Sequence, residues 1–537
     1  MTSAPAAWLR ALLSVAIAAF AVEIPFFFYG TPSGHDVEFH LYSWLEVVSQ
    51  WKQGIFLPRW ASLAQFGYGE PRFLFYPPAS WTLGGLLTAI LPWTMVAKVY
   101  IWIALVAAGV AMFMLLRRWL PPRDAIFGAA LYAVNPYHLV IVYWRSAFAE
   151  LLASCLVPLL LLALLRLAEE KKHAVLGLSL VLCAAWLTNA PAAVMIHYSA
   201  GLLLLLIAWH KRSTRVLLAG FAAILLGAAL ASFYLLPAIY EQKWVNIAEA
   251  VSQGSRPQDN FLFIHTSDAD HDKFNRIISW VALLEIAVTL TALWAAKAWR
   301  AANRAAWNSF AVWAIGIGSL MFSATALLWR ILPKLAFMQF PWRWLLCLSM
   351  IFSALIVVGV RRWWLRAAIC CACLLVIATA WRRIQPPWWD NVDDLREMQD
   401  NMTDGPGYEG VDEYTPVGCD PSAIDKDAWR VRVDGSAHAA VRVLQWRAES
   451  RTLVAEMSAP DRLALKLFAY PAWRVEVNGQ QVVTTRRETT GQVLIPVQAG
   501  VNRVQITFIR TWDRTLGGWV SVAALGLLAW LRWRPGL

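Results

Sequence analysis

Charge is scarce in this chain. Of 537 residues, 15 % are Asp, Glu, Lys or Arg and 59 % are hydrophobic. Soluble domains carry about 25 % charged residues, so this composition, with a mean hydropathy of +0.49, argues against a soluble enzyme. Disorder is excluded as well, because disordered chains are poor in apolar and aromatic residues. Cysteine offers little chemistry. Six of the seven (Cys155, Cys183, Cys347, Cys370, Cys371, Cys373) lie in apolar runs, and only Cys419 lies in a polar stretch. No pair is spaced for zinc, and one outer cysteine cannot build an internal disulfide framework. The sequence has no internal repeat, no Walker A motif and no Gly-rich dinucleotide fingerprint.

What is present is apolar runs of membrane length. A spanning helix needs roughly 17–25 mostly apolar residues. Twelve segments qualify: 8–29, 96–116, 125–143, 147–167, 174–187, 192–209, 216–237, 277–296, 307–328, 344–360, 367–381 and 516–531. The first is a span rather than a cleaved signal, because Phe26-Phe27-Phe28-Tyr29 is no small-residue cleavage site. The 32 tryptophans suit interfacial anchoring. Segment 76–91 is short and is interrupted by Pro77-Pro78 and Gly84-Gly85. Charge asymmetry decides its course. If it does not cross, Arg10 and the clusters at 117–123, 171–172, 211–215, 297–304, 361–366 and 532–534 share one side, the cytoplasmic one. The net charge of +12 is then cytoplasmic loop charge beside an anionic leaflet. Nucleic-acid binding is excluded, since the basic residues are spread over six loops.

This reading gives a mainly α fold. A polytopic membrane helical bundle of about 12–13 membrane helices occupies residues 1–381, with outer loops 30–75 and 238–276. A C-terminal extracytoplasmic β-rich domain, sandwich-like, occupies 382–514. A final membrane helix and cytoplasmic tail follow at 515–537. In the outer domain, Trp473-Arg-Val-Glu-Val, Asn478-Gly479 and Gln480-Gln-Val-Val read as a hairpin with a tight turn. Segments 463–468 and 501–510 are further strands. Both termini are cytoplasmic.

Polar residues at the outer mouth of such a bundle are the functional candidates. In Ser33-Gly34-His35-Asp36-Val37-Glu38-Phe39-His40, Asp36 and His40 share a helix face. Asp36 either closes a helix N-terminus in a capping-box-like start or serves as base or metal ligand with His35 or His40 in support. Arg145 and Glu150 either pair with each other or present a second outer carboxylate toward the Asp36 loop. Arg343, in Phe340-Pro341-Trp342-Arg343-Trp344, either snorkels to the interface or binds phosphate through its planar fork. The His265-to-Asp272 run is either a solvated loop or a divalent-cation site.

Together these pieces resemble a known group. Gly34-His35-Asp36 with His40, Pro58-Arg59-Trp60, Phe75-Tyr76-Pro77-Pro78, Asn135-Pro136-Tyr137, Arg145 with Glu150, and Phe340-Pro341-Trp342-Arg343 look like bacterial membrane proteins called 6-pyruvoyl-tetrahydropterin synthase-related. Glu413-Tyr414-Thr415-Pro416 and Tyr470-Pro-Ala-Trp473 with Val477-Asn478-Gly479 look like the outer domain of that group and of YfhO-type proteins. The zinc-binding His set of a soluble pterin synthase is missing. The architecture is similar to GT-C glycosyltransferases, which carry a catalytic acid in the first outer loop and generally use polyprenyl-phosphate sugars. The resemblance implies an inverting glycosyltransferase with Asp36 and Glu150 as its catalytic carboxylates. His35, His40, Arg145, Arg343, Tyr76 and Arg59 would bind substrate. A divalent cation, with Asp36 and His40 as candidate ligands, is an open alternative, as Asp36 lacks an adjacent acid. The implied partners are the bilayer, a polyprenyl-phosphate-linked sugar and a glycan or lipid acceptor. A transporter or a non-catalytic scaffold of polysaccharide export are the competing readings.

Overall fold

The computed structural model describes residues 4–384 and 389–533. Among them, eight helices are long and apolar enough to cross a membrane: Pro5–Tyr29, Trp93–Leu116, Pro122–Arg145, Phe148–Ala168, Ala190–Lys211, Ala269–Ala295, Pro341–Gly359 and Trp512–Trp533. Two bent pairs bring the number to ten: Thr214–Leu230 with Ser232–Trp244, at 76°, and Arg304–Leu320 with Ser323–Ile331, at 92°. Ala174–Thr188 and Trp363–Val376 are apolar but shorter. All twelve segments read from the sequence are therefore helical. Bends of more than 40° and shortness separate that number from the eight.

The helix Pro78–Ile90 has 13 residues, about 20 Å of rise, against a hydrocarbon core of about 30 Å. It packs along the helix Val37–Lys52. Gly84 makes that approach: a Cβ there would stand 2.2 Å from the Trp44 indole. The glycine pair that interrupts the apolar run is thus a packing device.

The charged loops sort to opposite ends of the bundle. At one end, Arg366 pairs with Asp124 at 2.8 Å, Arg118 with Glu169, and Lys211 donates to the Ala168 carbonyl. The span beginning at Pro122 carries Asp124 at that end and Arg145 at the other. The Arg145 end holds loops 30–75 and 238–276 and the β region.

That region contains two antiparallel sheets. A two-stranded ribbon joins β1 (Thr31–Pro32) to β2 (Trp389–Asp390). The further strands are β3 (Val431–Val433), β4 (Ala439–Trp446), β5 (Ser450–Met457), β6 (Asp461–Phe468), β7 (Trp473–Val477), β8 (Gln480–Gln481), β9 (Thr485–Arg486), β10 (Gln492–Val497) and β11 (Gly500–Phe508). One sheet runs β4-β5-β11-β7-β8 and the other β3-β6-β10-β9. Their inner faces alternate as a sandwich requires, with Leu453, Leu463, Leu465, Val504 and Ile506 fully buried. The β7–β8 turn uses Asn478 at φ 52° and Gly479 at φ 82°, the left-handed pair of a tight hairpin turn. Residues 389–430 lie outside the sheets apart from β2. They form the capped helix Val392–Thr403 and short turns threaded between loops 30–75 and 238–276.

Candidate functional site

The site begins with a broken helix. Residues before proline avoid the α region, and Asn135, at ψ 162°, ends the helix Pro122–Ala133 ahead of Pro136. The Asn135 side chain accepts from the His138 N–H at 3.0 Å, restarting a short helix. Ile141–Arg145 then widens into a π-helical turn, and Ser146 closes it at φ 50°. Such turns recur at functional sites because they re-aim one side chain. Here that side chain is Arg145, 5 % exposed.

The same turn holds the Asp36 loop. Ser146 donates to the Pro32 carbonyl at 3.0 Å and accepts from the Gly34 N–H at 3.0 Å. The Asp36 N–H donates to the Arg145 carbonyl at 2.8 Å. A Cβ on Gly34 would lie 2.7 Å from backbone atoms of Arg145 and Ser146, so only glycine fits. Asp36 occupies the N-cap position of Val37–Lys52, yet its side chain makes no capping bond. The carboxylate turns instead to His35 Nδ1 at 2.9 Å and Arg145 Nη2 at 3.4 Å. Its side chain is 30 % exposed.

Beneath it, Glu150 gathers two hydrogen-bond donors and a third, longer charge contact. Arg145 Nη1 lies 2.6 Å from Oε2, Arg343 Nε lies 3.4 Å from the same oxygen, and the Tyr137 hydroxyl donates to Oε1 at 2.6 Å. The Arg145–Glu150 pair is therefore real, and it belongs to a larger group rather than standing alone. Arg343 Nη1 donates to the Met338 carbonyl at 2.7 Å and to Gln339 Oε1 at 3.0 Å. It does not snorkel, being 7 % exposed. The rings of Phe340 and Trp342 stack at 4.9 Å. Arg145 lies 5.1 Å from the Trp342 centroid and Arg343 4.7 Å from that of Phe340. Neither Nε, which is buried, nor Nη2 of Arg343 makes a hydrogen bond among the described residues.

Electrostatics follow from these contacts. Burial opposes ionisation of Asp36, but the His35 hydrogen bond and the charges of Arg145 and His35 outweigh it and hold the carboxyl below its ordinary range. The Asp36 hydrogen bond and charge raise His35 above 6.5 against burial. Burial pushes His40 down to about 4, against the pull of Asp36. His40 stacks on Phe148 at 5.1 Å and meets Tyr76 at 5.8 Å. The aromatic rings packed around His40, and a guanidinium already on the Asp36 carboxylate, do not fit a divalent cation. No group of three or more His, Cys, Asp or Glu among the described residues could hold a metal. In the 265–272 loop, Asp268 caps the helix Ala269–Ala295, and Asp272 is taken by His265 and Arg276.

Seven of the eight expected site residues come together: His35, Asp36, His40, Tyr76, Arg145, Glu150 and Arg343. Arg59 does not. Trp60, fully buried against Trp473, Tyr470 and Phe508, draws it to the base of the sandwich. There Arg59 Nη2 donates to the Phe233 carbonyl at 3.4 Å, an acceptor that Pro237 leaves without its helical N–H. Burial first, then the charge of Arg514, lower Arg59 to about 10. The sequence assigns no role to Tyr137, which lies within the quoted Asn135-Pro136-Tyr137, or to Gln339, which precedes Phe340-Pro341-Trp342-Arg343. Only their contacts with Glu150 and Arg343 reveal them.

No curated protein matches the chain. A family model, the 6-pyruvoyl-tetrahydropterin synthase related domain of membrane proteins, matches residues 73–385. That stretch includes Tyr76, Arg145, Glu150 and Arg343 and leaves Asp36 outside it. It covers more than half of the sequence, and the protein belongs to that family.

Proposed function

We propose that the protein is an inverting glycosyltransferase of a bacterial cytoplasmic membrane. It moves a sugar from a polyprenyl-phosphate donor to a glycan or lipid acceptor on the extracytoplasmic side. The observation that carries this reading is one water-accessible carboxylate, Asp36, held beside two buried guanidiniums, Arg145 and Arg343. A base for an acceptor hydroxyl and a cradle for a leaving phosphate are the two parts that such a displacement needs.

In the proposed step, Asp36 takes the proton of the acceptor hydroxyl as its oxygen attacks the anomeric carbon. The bond from that carbon to the donor phosphate oxygen breaks, and the electron pair leaves with polyprenyl phosphate. A single displacement inverts the anomeric centre. Arg343 Nη2 and the Arg145 fork meet the phosphate, while Glu150 and Tyr137 keep both guanidiniums aimed. Phosphate bound to Arg145 loosens the hold of that guanidinium on Asp36, which makes the carboxylate a better base when the donor is present. Asp36 and Glu150 together balance Arg145 and Arg343, so protonated His35 supplies the charge that offsets one phosphodiester anion. The basic clusters at the opposite end support an extracytoplasmic site by the positive-inside rule.

The test is transfer from a panel of undecaprenyl-phosphate sugars by purified protein in lipid. Wild type consumes a donor, and Asp36→Asn loses at least about 10²-fold of the rate while remaining folded. Wild-type transfer by Asp36→Asn would overturn the mechanism in favour of a transporter or scaffold.

A further inference from the structure

The segment 411–417 is threaded between two outer loops. On one side the Val411 N–H donates to Glu70 Oε2 at 3.0 Å, and Gln65 Nε2 reaches Thr415 Oγ1 at 3.2 Å. Glu70 is fixed by Arg72 at 2.7 Å, and both are fully buried. On the other side, the Asn246 N–H donates to the Thr415 carbonyl and the Val417 N–H to the Trp244 carbonyl, each at 3.0 Å. These bonds fix the short turn Asp412–Tyr414 against the mouth of the bundle.

Tyr414 continues an aromatic wall that begins at the Asp36 helix. Its ring stacks on Phe75 at 5.7 Å and meets Phe39 at 6.5 Å, and Phe39 meets Tyr76 at 4.6 Å. Tyr76 feels the charges of Asp36, Arg145 and Arg343 on one side, and Tyr414 feels Tyr76 and Glu413. The wall thus runs from the base to the C-terminal segment. Phe39, Tyr76, Glu413 and Tyr414 are all half-buried. No protein partner meets the hydroxyls of Tyr76 and Tyr414 among the described residues. The Glu413 carboxyl meets only its own backbone N–H, and burial, then Glu70, raises its pKa against that bond and Arg72.

We propose that Phe39, Tyr76, Tyr414 and Glu413 form a saccharide-binding acceptor subsite, completed by the C-terminal segment. Aromatic faces offer apolar contact to the C–H face of a pyranose ring, and a few convergent polar groups fix its orientation. An unpaired carboxylate and two hydroxyls suit a ligand dense in hydroxyls. The subsite lies along the wall from Asp36, where the attacking hydroxyl has to be. The word acceptor rests on the proposed transferase reading; saccharide binding itself does not.

The experiment uses the full chain in lipid nanodiscs with methyl glycosides and disaccharides of glucose, galactose and mannose as probes. Binding is read by saturation-transfer NMR, and acceptor and donor KM are read from the transfer assay. Tyr414→Phe, which deletes one oxygen and keeps the ring, weakens saccharide binding about three- to ten-fold, and Glu413→Gln about ten-fold or more. In transfer, acceptor KM rises by the same factors while donor KM moves less than two-fold. If no probe binds wild type, or if both variants bind and turn over acceptor as wild type does, the subsite is overturned. If both instead raise donor KM, the wall belongs to the donor and the proposal is equally overturned. If probes bind in a Tyr414-dependent way but no donor is consumed, the saccharide site stands and the transferase reading fails.

Discussion

At the base of the β sandwich, Glu241 holds Arg514 in a closed fork; at the bundle mouth, Glu150 and Asp36 share Arg145 and leave one carboxylate open to water. In the fork, Arg514 Nε and Nη2 meet the two Glu241 oxygens at 2.7 and 2.8 Å, and the Tyr470 hydroxyl adds a third bond at 2.6 Å. The side chains are 4 % and 0 % exposed. This is a saturated, bidentate arrangement, and it ties the bent Ser232–Trp244 helix, the sheet region and the last membrane helix together. At the mouth, the Asp36 contact is 3.4 Å long, and Arg343 makes its hydrogen bonds through Nη1 alone, leaving Nε and Nη2 without one among the described residues. Both clusters use the same residue types. The closed one has spent its hydrogen-bonding capacity on the fold, while the open one keeps capacity for a ligand.

The largest effects come from exchanging the two roles. Asp36→Asn should cost at least about 10²-fold in transfer and less than about 1 kcal/mol in stability, since its pair is long and partly solvated. Glu241→Gln should do the reverse. Leaving Arg514 buried without its counter-charge should cost on the order of 3–5 kcal/mol at modest loss of rate per folded molecule. Thermal unfolding in detergent, with transfer normalised to folded protein, checks both. Equal destabilisation by the two variants would erase the distinction.

Gly34→Ala should follow. The added methyl meets backbone atoms of Arg145 and Ser146 at 2.7 Å, and backbone cannot swing aside as a side chain can. The Asp36 loop must lift from the π turn, at about 1–3 kcal/mol and with a large fall in kcat. Gly54→Ala, a glycine with open space around it though at φ 84°, controls for backbone strain alone. Arg343→Lys should be milder. It keeps the charge but loses the planar fork, whose Nη1 bonds both Met338 and Gln339. Donor KM is expected to rise about ten-fold with little change in melting temperature.

The helices were legible because burial in lipid leaves apolar runs, and the Asn478-Gly479 hairpin because a left-handed turn restricts its residues. Asp36, Arg145 and Arg343 were legible as polar residues at the ends of such runs. Three features were not. The π turn at Ile141–Arg145 has no pattern in Tyr143-Trp144-Arg145 that departs from a helix. Arg59 looks like a site arginine until Trp60 is seen in the sandwich base. Glu46, which binds Tyr408 at 2.5 Å, and the Glu70–Arg72 pair read as ordinary charged loop positions. Glu46 meets Tyr408 across 362 residues and Glu70 meets the Val411 N–H across 341, and no local rule supplies such partners.

The smallest expected effect concerns pH. His35 stands at the rim, its side chain 87 % exposed, bonded to Asp36 at 2.9 Å. Its pKa is raised above 6.5 by that hydrogen bond, then by the Asp36 charge, against burial and the two arginines. A raised histidine keeps its proton and its contribution at pH values below 6.5 and loses both as pH rises through the raised value. Asp36 moves the opposite way: held low, it stays ionised across that interval. Charge at the rim therefore falls by one on the alkaline side while Asp36 stays ionised. Donor KM should rise there by at most about five-fold, the scale of a solvent-exposed pair, with kcat less affected. His35→Gln should show the higher KM at every pH and a flat profile between pH 6 and 9. High salt should flatten the wild-type profile in the same way, because an exposed charge is screened where the buried Arg145–Glu150 pair is not. An unchanged slope in His35→Gln would mean that another group titrates, and that the open cluster owes its donor affinity to the arginines alone.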